Sequence, residues 1–202
     1  NADGLLDLII GSEGEYSVTG IDKGRLHLYE NTGTATEPEF TLIDNDYLNI
    51  SALNVQAVHP TFGDIDGDND EDLIIGLENG KLYFYENTAG AGNPVSFATV
   101  VPDYQGIDAG IYSAPLLIDI NRDGLIDLLI GEYLGTVTYH ENSGTATNPI
   151  FSVVTVPFGN NSLGGIDVRP IGSSTGNAAP FAIERDGEYE LFVGSENGDI
   201  YH

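Results

Sequence analysis

The feature that most constrains this chain is a segment that occurs four times: oxygen-bearing side chains at alternate positions, a turn residue, then an apolar run that ends in Gly. It reads NADGLLDLIIG at Asn1–Gly11, DIDGDNDEDLIIG at Asp64–Gly76, DINRDGLIDLLIG at Asp119–Gly131 and, in degraded form, ERDGEYELFVG at Glu184–Gly194. The closing glycines stand 65, 55 and 63 residues apart. Self-similarity at such a period means that each copy is one supersecondary unit, which has to stack on its neighbours to bury an apolar face.

The likeness runs past the acidic segment. Each apolar run leads through a turn to a second alternating strand, GRLHLYEN at Gly24–Asn31, GKLYFYEN at Gly80–Asn87 and GTVTYHEN at Gly135–Asn142. A Pro and an aromatic residue then introduce a third strand, at Pro38 and Phe40, Pro94 and Phe97, and Pro149 and Phe151. Pro60, Pro115 and Pro180 stand ahead of the strands that lead into the acidic loops. The runs are β-branched and aromatic, bounded by Gly, Pro, Asn and Asp, with no sustained 3.6-residue period, so the chain reads as all-β.

In the second unit the strands are expected near Val55–Gly63, Asp72–Leu77, Lys81–Asn87 and Phe97–Val101. Four short antiparallel strands per unit are the pattern of β-propeller blades, whereas an all-β sandwich would not demand the same loop in every unit. The blades are expected over 1–53 (partial), 54–108, 109–170 and 171–202 (partial), a partial propeller of two complete and two incomplete blades. Asn1 takes the third place of an acidic loop and His202 stops inside a strand, so further repeats or partner chains are expected to cover the open blade edges.

Thirty-two Asp and Glu against six Lys and Arg leave a formal charge of −26. Such a surface repels phosphate backbones and anionic headgroups, so no nucleic-acid partner is expected. Eleven Tyr, eight Phe and 41% hydrophobic content argue against the disorder that acidic excess otherwise brings. The chain has no Cys, which excludes disulfides and a cysteine nucleophile. No run approaches 18 uninterrupted apolar residues, so no membrane span is expected. His27, His59, His140 and His202 have no metal spacing, and neither His-Glu-x-x-His nor Gly-x-Ser-x-Gly occurs, so an enzyme is not expected. The Tyr and Phe at 29, 83–85, 139 and 201 recur with the strands and are expected to pack between blades. Glu30, Glu86 and Glu141 share one place in the repeat, each followed by Asn. They are open to two readings, a carboxylate row on a functional surface or a strand-terminal turn.

The acidic loops decide what the charge is for. In Asp119, Asn121 and Asp123, oxygen side chains at loop positions 1, 3 and 5 turn toward one centre when the backbone curls. Gly124 takes positive φ, the Leu125 carbonyl faces inward at position 7, and Asp127 closes the site at position 9. That set supplies the all-oxygen shell Ca²⁺ prefers. Asp64, Asp66, Asp68 and Asp72 repeat the pattern, with the Asp70 carbonyl at position 7 and Asn69, which tolerates the left-handed conformation, in place of the glycine. Asn1, Asp3, Leu5 and Asp7 form a third site, completed by residues before the chain start. An EF-hand is excluded, because its position 12 needs a bidentate Glu and here falls on Ile75 and Ile130 inside strands. Solvated turns would also collect Asp, Asn and Gly. Four carboxylates in nine residues, however, repel by about 1 to 4 kcal/mol per close pair at effective dielectrics of 80 to 20, and a cation offsets that cost. In the fourth copy Pro180 to Gly194 spans 14 residues where Pro60 to Gly76 and Pro115 to Gly131 span 16, and Arg185 occupies the loop. No calcium is expected there.

The order of Pro, acidic ladder, Asp-Leu-x-Ile-Gly, a following Gly, strand and Glu-Asn resembles the FG-GAP or VCBS repeat family over essentially the whole chain. Phe62-Gly63 keeps the dipeptide behind that name. The pattern is also similar to the blades of the integrin α-subunit head. The resemblance implies a seven- or eight-bladed propeller in extracellular proteins, calcium in the hairpin loops between the first two strands of a blade, and service in adhesion. The shortened loop at Glu184–Glu190, the nine-residue insertion at Ser12–Gly20 and the incomplete blade count depart from it. The expectation is a non-catalytic, calcium-binding, secreted or cell-surface module for adhesion, scaffolding or interaction with a protein or glycan ligand. The alternative is a carbohydrate-binding or accessory propeller domain of a larger secreted enzyme.

Overall fold

The computed structural model describes residues 1–14, 16–17, 20–21, 23–154 and 162–202. Among them each repeat forms its own small antiparallel sheet. In the first, β1 (Leu8–Gly11) is followed by a hairpin of β2 (Tyr16–Ser17) and β3 (Gly20–Ile21) within the insertion, part of which lies outside the described residues. β4 (Leu26–Asn31) and β5 (Phe40–Asp44) complete it in the order β1-β4-β5. The second is β6 (His59–Gly63), β7 (Asp72–Gly76) and β8 (Leu82–Tyr85). In the third, β9 (Ala114–Ile118), β10 (Asp127–Gly131) and β11 (Thr136–Asn142) pair in turn, and both β12 (Phe151–Val153) and β13 (Ser162–Asp167) pair with β11. The fourth is β14 (Ala179–Arg185), β15 (Glu188–Gly194) and β16 (Ile200–Tyr201). Two short 3₁₀ helices, Tyr47–Leu53 and Tyr104–Gly106, lie on the connections. Among the described residues no strand of the first sheet pairs with one of the fourth.

Two expected strands differ. Val55–Val58 do not extend β6; their backbone bonds instead to Gly24, Glu13 and Ser12 of the first repeat, which makes them a strap between two sheets. Phe97–Val101 forms isolated bridges, Asn87 with Phe97 and Phe84 with Val101, in place of a continuous strand. The register slips by one residue between those bridges. A matching slip, between Leu28 and Tyr29, interrupts the β4–β5 ladder. An extra residue of this kind breaks a ladder locally and bends the strand.

The sheets stack because their central strands are apolar on both faces. Successive side chains of a strand point to opposite sides, and every residue of β7 and β10 is buried. Leu73 and Ile75 join a cluster with Leu26 of the first sheet, while Ile74 between them joins Leu128 and Ile130 of the third. Leu129, on the other side of β10, packs with Val193 of the fourth. Each such side chain contributes roughly 1.5 to 3 kcal/mol of burial. This two-sided cover explains why the runs read as unbroken LIIG and LLIG instead of alternating with polar residues.

The closing glycines and the prolines of the next repeat are one feature. A Cβ on Gly76 would sit 2.2 Å from the Ser113 carbonyl oxygen and 2.5 Å from Pro115 Cδ. On Gly131 it would sit 2.1 Å from the Ala178 carbonyl oxygen and 2.7 Å from Pro180 Cδ. The end of one repeat's second strand rests directly on the backbone that opens the next repeat, and only Gly allows that approach.

Candidate metal centre

The β6–β7 ladder ends at Gly63 against Asp72, and the residues between them curl instead of pairing. Gly67 (φ 76°) and Asn69 (φ 67°) take the left-handed region that the curl needs. Asp64 accepts from the Gly67 N–H at 2.7 Å and the Asn69 N–H at 3.0 Å, Asp66 from the Asp68 N–H at 3.3 Å, and Asp68 from the Asp70 N–H at 3.0 Å. This ladder of side chain to backbone bonds brings carboxylate oxygens of Asp64, Asp66 and Asp68 within 4.8 Å of one another, the one such acidic trio among the described residues. No ion pair among the described residues reaches them.

Asp72 is buried, with Oδ1 accepting from the Asn87 N–H at 2.8 Å and Oδ2 from the Ile65 N–H at 3.3 Å. Burial pushes its carboxyl up to about 7 against the pull of the Asn87 N–H, and the Asp66 and Asp70 charges add to the rise. Asp66 and Asp70 are raised as well, both chiefly by burial and further by the Asp68 charge.

The 119–127 loop has the same backbone plan, with Arg122 (φ 62°) and Gly124 (φ 89°) in the left-handed region. Asp119 accepts from the Asp123 N–H at 3.1 Å and the Gly124 N–H at 2.9 Å, Asn121 from the Asp123 N–H at 2.9 Å, and Asp123 from the Leu125 N–H at 2.9 Å. Its carboxylates do not form a convergent trio, because an amide holds position 3. Asn121 Nδ2 donates to Asp123 Oδ2 at 3.1 Å and so relieves a repulsion that Asp66 cannot. Asp127 accepts from the Asn142 N–H at 2.8 Å and the Tyr139 hydroxyl at 3.0 Å, and burial with that bond raises the Tyr139 phenol. In the 1–7 loop Asn1 accepts from the Asp3 N–H at 3.0 Å, Asp3 from the Leu5 N–H at 2.8 Å, and Asp7 from the Asn31 N–H at 2.9 Å.

The Glu-Asn pair resolves into two roles. Asn31, Asn87 and Asn142 are buried, and the Oδ1 of each accepts two backbone N–H groups across the turn to the outer strand: Gly33 and Glu39, Ala89 and Ser96, Gly144 and Ile150. The preceding Glu faces position 3 of its acidic loop. Asn1 Nδ2 donates to Glu30 at 2.5 Å and Asn121 Nδ2 to Glu141 at 3.4 Å, while the Glu86 charge bears on Asp66. The Asn of each pair thus clamps a strand-terminal turn, while the Glu lies beside its acidic loop.

The fourth hairpin is built differently. Its ladder runs down to Arg185 against Glu188, and Arg185 Nη1 lies 3.4 Å from Glu190 Oε1, at the place Asp72 and Asp127 hold elsewhere. Arg185 stands in the loop where no calcium is expected. The structure gives it a partner, because the shortened loop brings the guanidinium onto Glu190.

A stack of small antiparallel sheets, three of them with an acidic loop leading into the strand that ends in Gly, defines an all-β repeat protein. The FG-GAP-like repeat family matches residues 1–75 and 64–130, and the chain belongs to that family. Integrin alpha-4 of Xenopus laevis is 28% identical over 143 residues, which cover 66% of this chain and 13% of that protein. No helix among the described residues is long and apolar enough to cross a membrane.

Proposed function

We propose that the chain is a stretch of calcium-binding β-propeller that acts as a non-catalytic extracellular module for adhesion or protein interaction. The observation that carries this reading is the convergence of Asp64, Asp66 and Asp68 with no cationic partner among the described residues, in a loop plan that recurs at 1–7 and 119–127. The two-sided burial of β7 and β10 supports blades at 54–108 and 109–170, with parts of two more at 1–53 and 171–202. The likeness to integrin alpha-4 supports a surface or secreted setting and a protein-binding role.

The ligands would be Asp64, Asp66, Asp68 and Asp72 in one loop and Asp119, Asn121, Asp123, Asp127 and the Leu125 carbonyl in another. Asn1, Asp3, Asp7 and the Leu5 carbonyl would serve a third. An oxygen set of this number and flexibility suits Ca²⁺ better than Mg²⁺, which demands strict octahedral geometry and keeps its waters. The ion would be structural. At millimolar calcium and affinities of about 0.1 to 1 mM, each site adds roughly 0.4 to 1.4 kcal/mol.

Isothermal titration of chelator-stripped protein with Ca²⁺, followed by thermal unfolding with and without the ion, tests the reading. Saturable binding and a rise in Tm of roughly 1 to 4 °C per site are expected. No heat of binding and an unchanged Tm at several millimolar Ca²⁺ would end it.

A further inference from the structure

We propose that Asp70 binds the ion of the 64–72 loop through its side-chain carboxylate instead of its carbonyl, and thereby ties that ion to the turn beginning at Ala89. The proposal rests on the calcium reading above and adds a ligand to it. Position 7 is Leu in the other two loops, Leu5 and Leu125, so neither can do the same.

Asp70 is only 9% exposed. Its Oδ2 accepts from the Gly90 N–H at 2.6 Å, whereas its Oδ1 is fully buried and meets no donor. What the carboxyl does meet is the Asp68 carboxyl, with Asp64 also near enough to act on it. Two ionised carboxyls in contact are two acceptors with nothing to donate between them, and a buried charged oxygen without a partner is among the costliest arrangements a protein holds. A hard cation among Asp64, Asp66, Asp68 and Asp70 removes both problems at once. The second oxygen of Asp70 then holds the Gly90 N–H, in a turn that Asn93 Nδ2 closes on the Ala89 and Gly90 carbonyls.

Affinity in all-oxygen sites follows the number of charged ligands, so the 64–72 loop should bind more tightly than the 119–127 loop. The test is a titration of the whole chain, stripped of metal, with Tb³⁺ and then Ca²⁺. Tyr104 lies within electrostatic reach of Asp66 and Asp72 and the Tyr139 hydroxyl bonds Asp127, so tyrosine-sensitised Tb³⁺ emission reports both loops, and the Asp123→Asn background isolates the signal of the 64–72 loop. Asp70→Asn keeps an oxygen for the Gly90 N–H and removes the charge. We expect it to raise Kd at this loop roughly tenfold or more, and to leave the weaker site that Asp123→Asn abolishes unchanged. Wild-type affinity in Asp70→Asn overturns the proposal with the calcium reading intact. A wild-type chain that binds neither ion removes the calcium reading and this proposal with it. Should Asp70→Asn fail to fold, hydrogen exchange on the wild type decides: Ca²⁺ must slow exchange at the Gly90 amide, and an unchanged rate overturns the proposal.

Discussion

The second and fourth repeats share a template and differ at their first hairpin. In the second, pairing stops at Gly63 and Asp72, and the intervening chain turns acidic oxygens on one another. In the fourth, two fewer residues let β14 and β15 pair down to a two-residue turn, Asp186 (φ 53°) and Gly187 (φ 82°), the left-handed pair of a tight hairpin. Arg185 then lies against Glu190, and Arg122 reaches over from the third repeat to Glu184 at 3.7 Å and onto the Tyr189 ring at 4.6 Å. The fourth hairpin thus carries positive charge in its own and a neighbouring side chain, whereas no ion pair among the described residues reaches Asp64, Asp66 or Asp68. The flanks differ too: β7 is covered on both faces, whereas in β15 Val193 is the buried residue and Leu191 is half-buried.

The largest expected contrast lies in those flanks. Leu73→Ala should cost about 2 to 5 kcal/mol in urea unfolding, and Leu191→Ala about 1 kcal/mol; equal losses would break the comparison. Next comes His140, the buried histidine of the third repeat. Burial holds the His140 imidazole down to about 4, so the unfolded chain binds the extra proton first. The stability His140 contributes is full above pH 6.5 and declines by about 2 to 3 kcal/mol as pH falls toward 4. Asp72, raised to about 7, acts in the opposite sense in metal-free protein, losing its contribution as pH rises toward 7. The difference in unfolding free energy between wild type and His140→Gln across this range is therefore the quantity to measure.

Asn87→Ala strips the acceptor from the Ala89 and Ser96 N–H groups. About 1 to 3 kcal/mol should be lost in thermal unfolding, and a neutral outcome would mean that the clamp does not hold the loop-bearing repeats. The smallest effect belongs to the internal ion pair. Arg185→Gln should shift stability by less than about 1 kcal/mol, because the guanidinium is exposed. It should also leave the calcium stoichiometry unchanged; an additional ion bound by this variant would show that Arg185 alone keeps the fourth hairpin metal-free.

The features that depend on near neighbours are legible in the sequence. The DLIIG and DLLIG strands, their pairing with GKLYFYEN and GTVTYHEN, and the curl at Asn69 and Gly124 follow from alternation and turn chemistry within a few residues. The slip opposite Tyr85 was not legible, since a bulge is a property of two strands in register. Nor was the service of the Glu-Asn pair, because the groups Asn87 accepts from and the loop Glu86 faces lie across a turn and across a strand.

The spacing of like oxygens along the chain already dictated where charge would accumulate and, through the recurring Gly and Pro, that sheet would follow sheet. Folding alone settled which oxygens face one another: Asp70 turns its carboxyl inward while Leu125 has none to turn, and Arg185 reaches Glu190 only across a closed hairpin. The physical reason is one of range. Backbone preference and side-chain alternation act between adjacent residues, whereas burial and Coulomb interaction act between any groups the fold brings close, however far apart they lie in the chain.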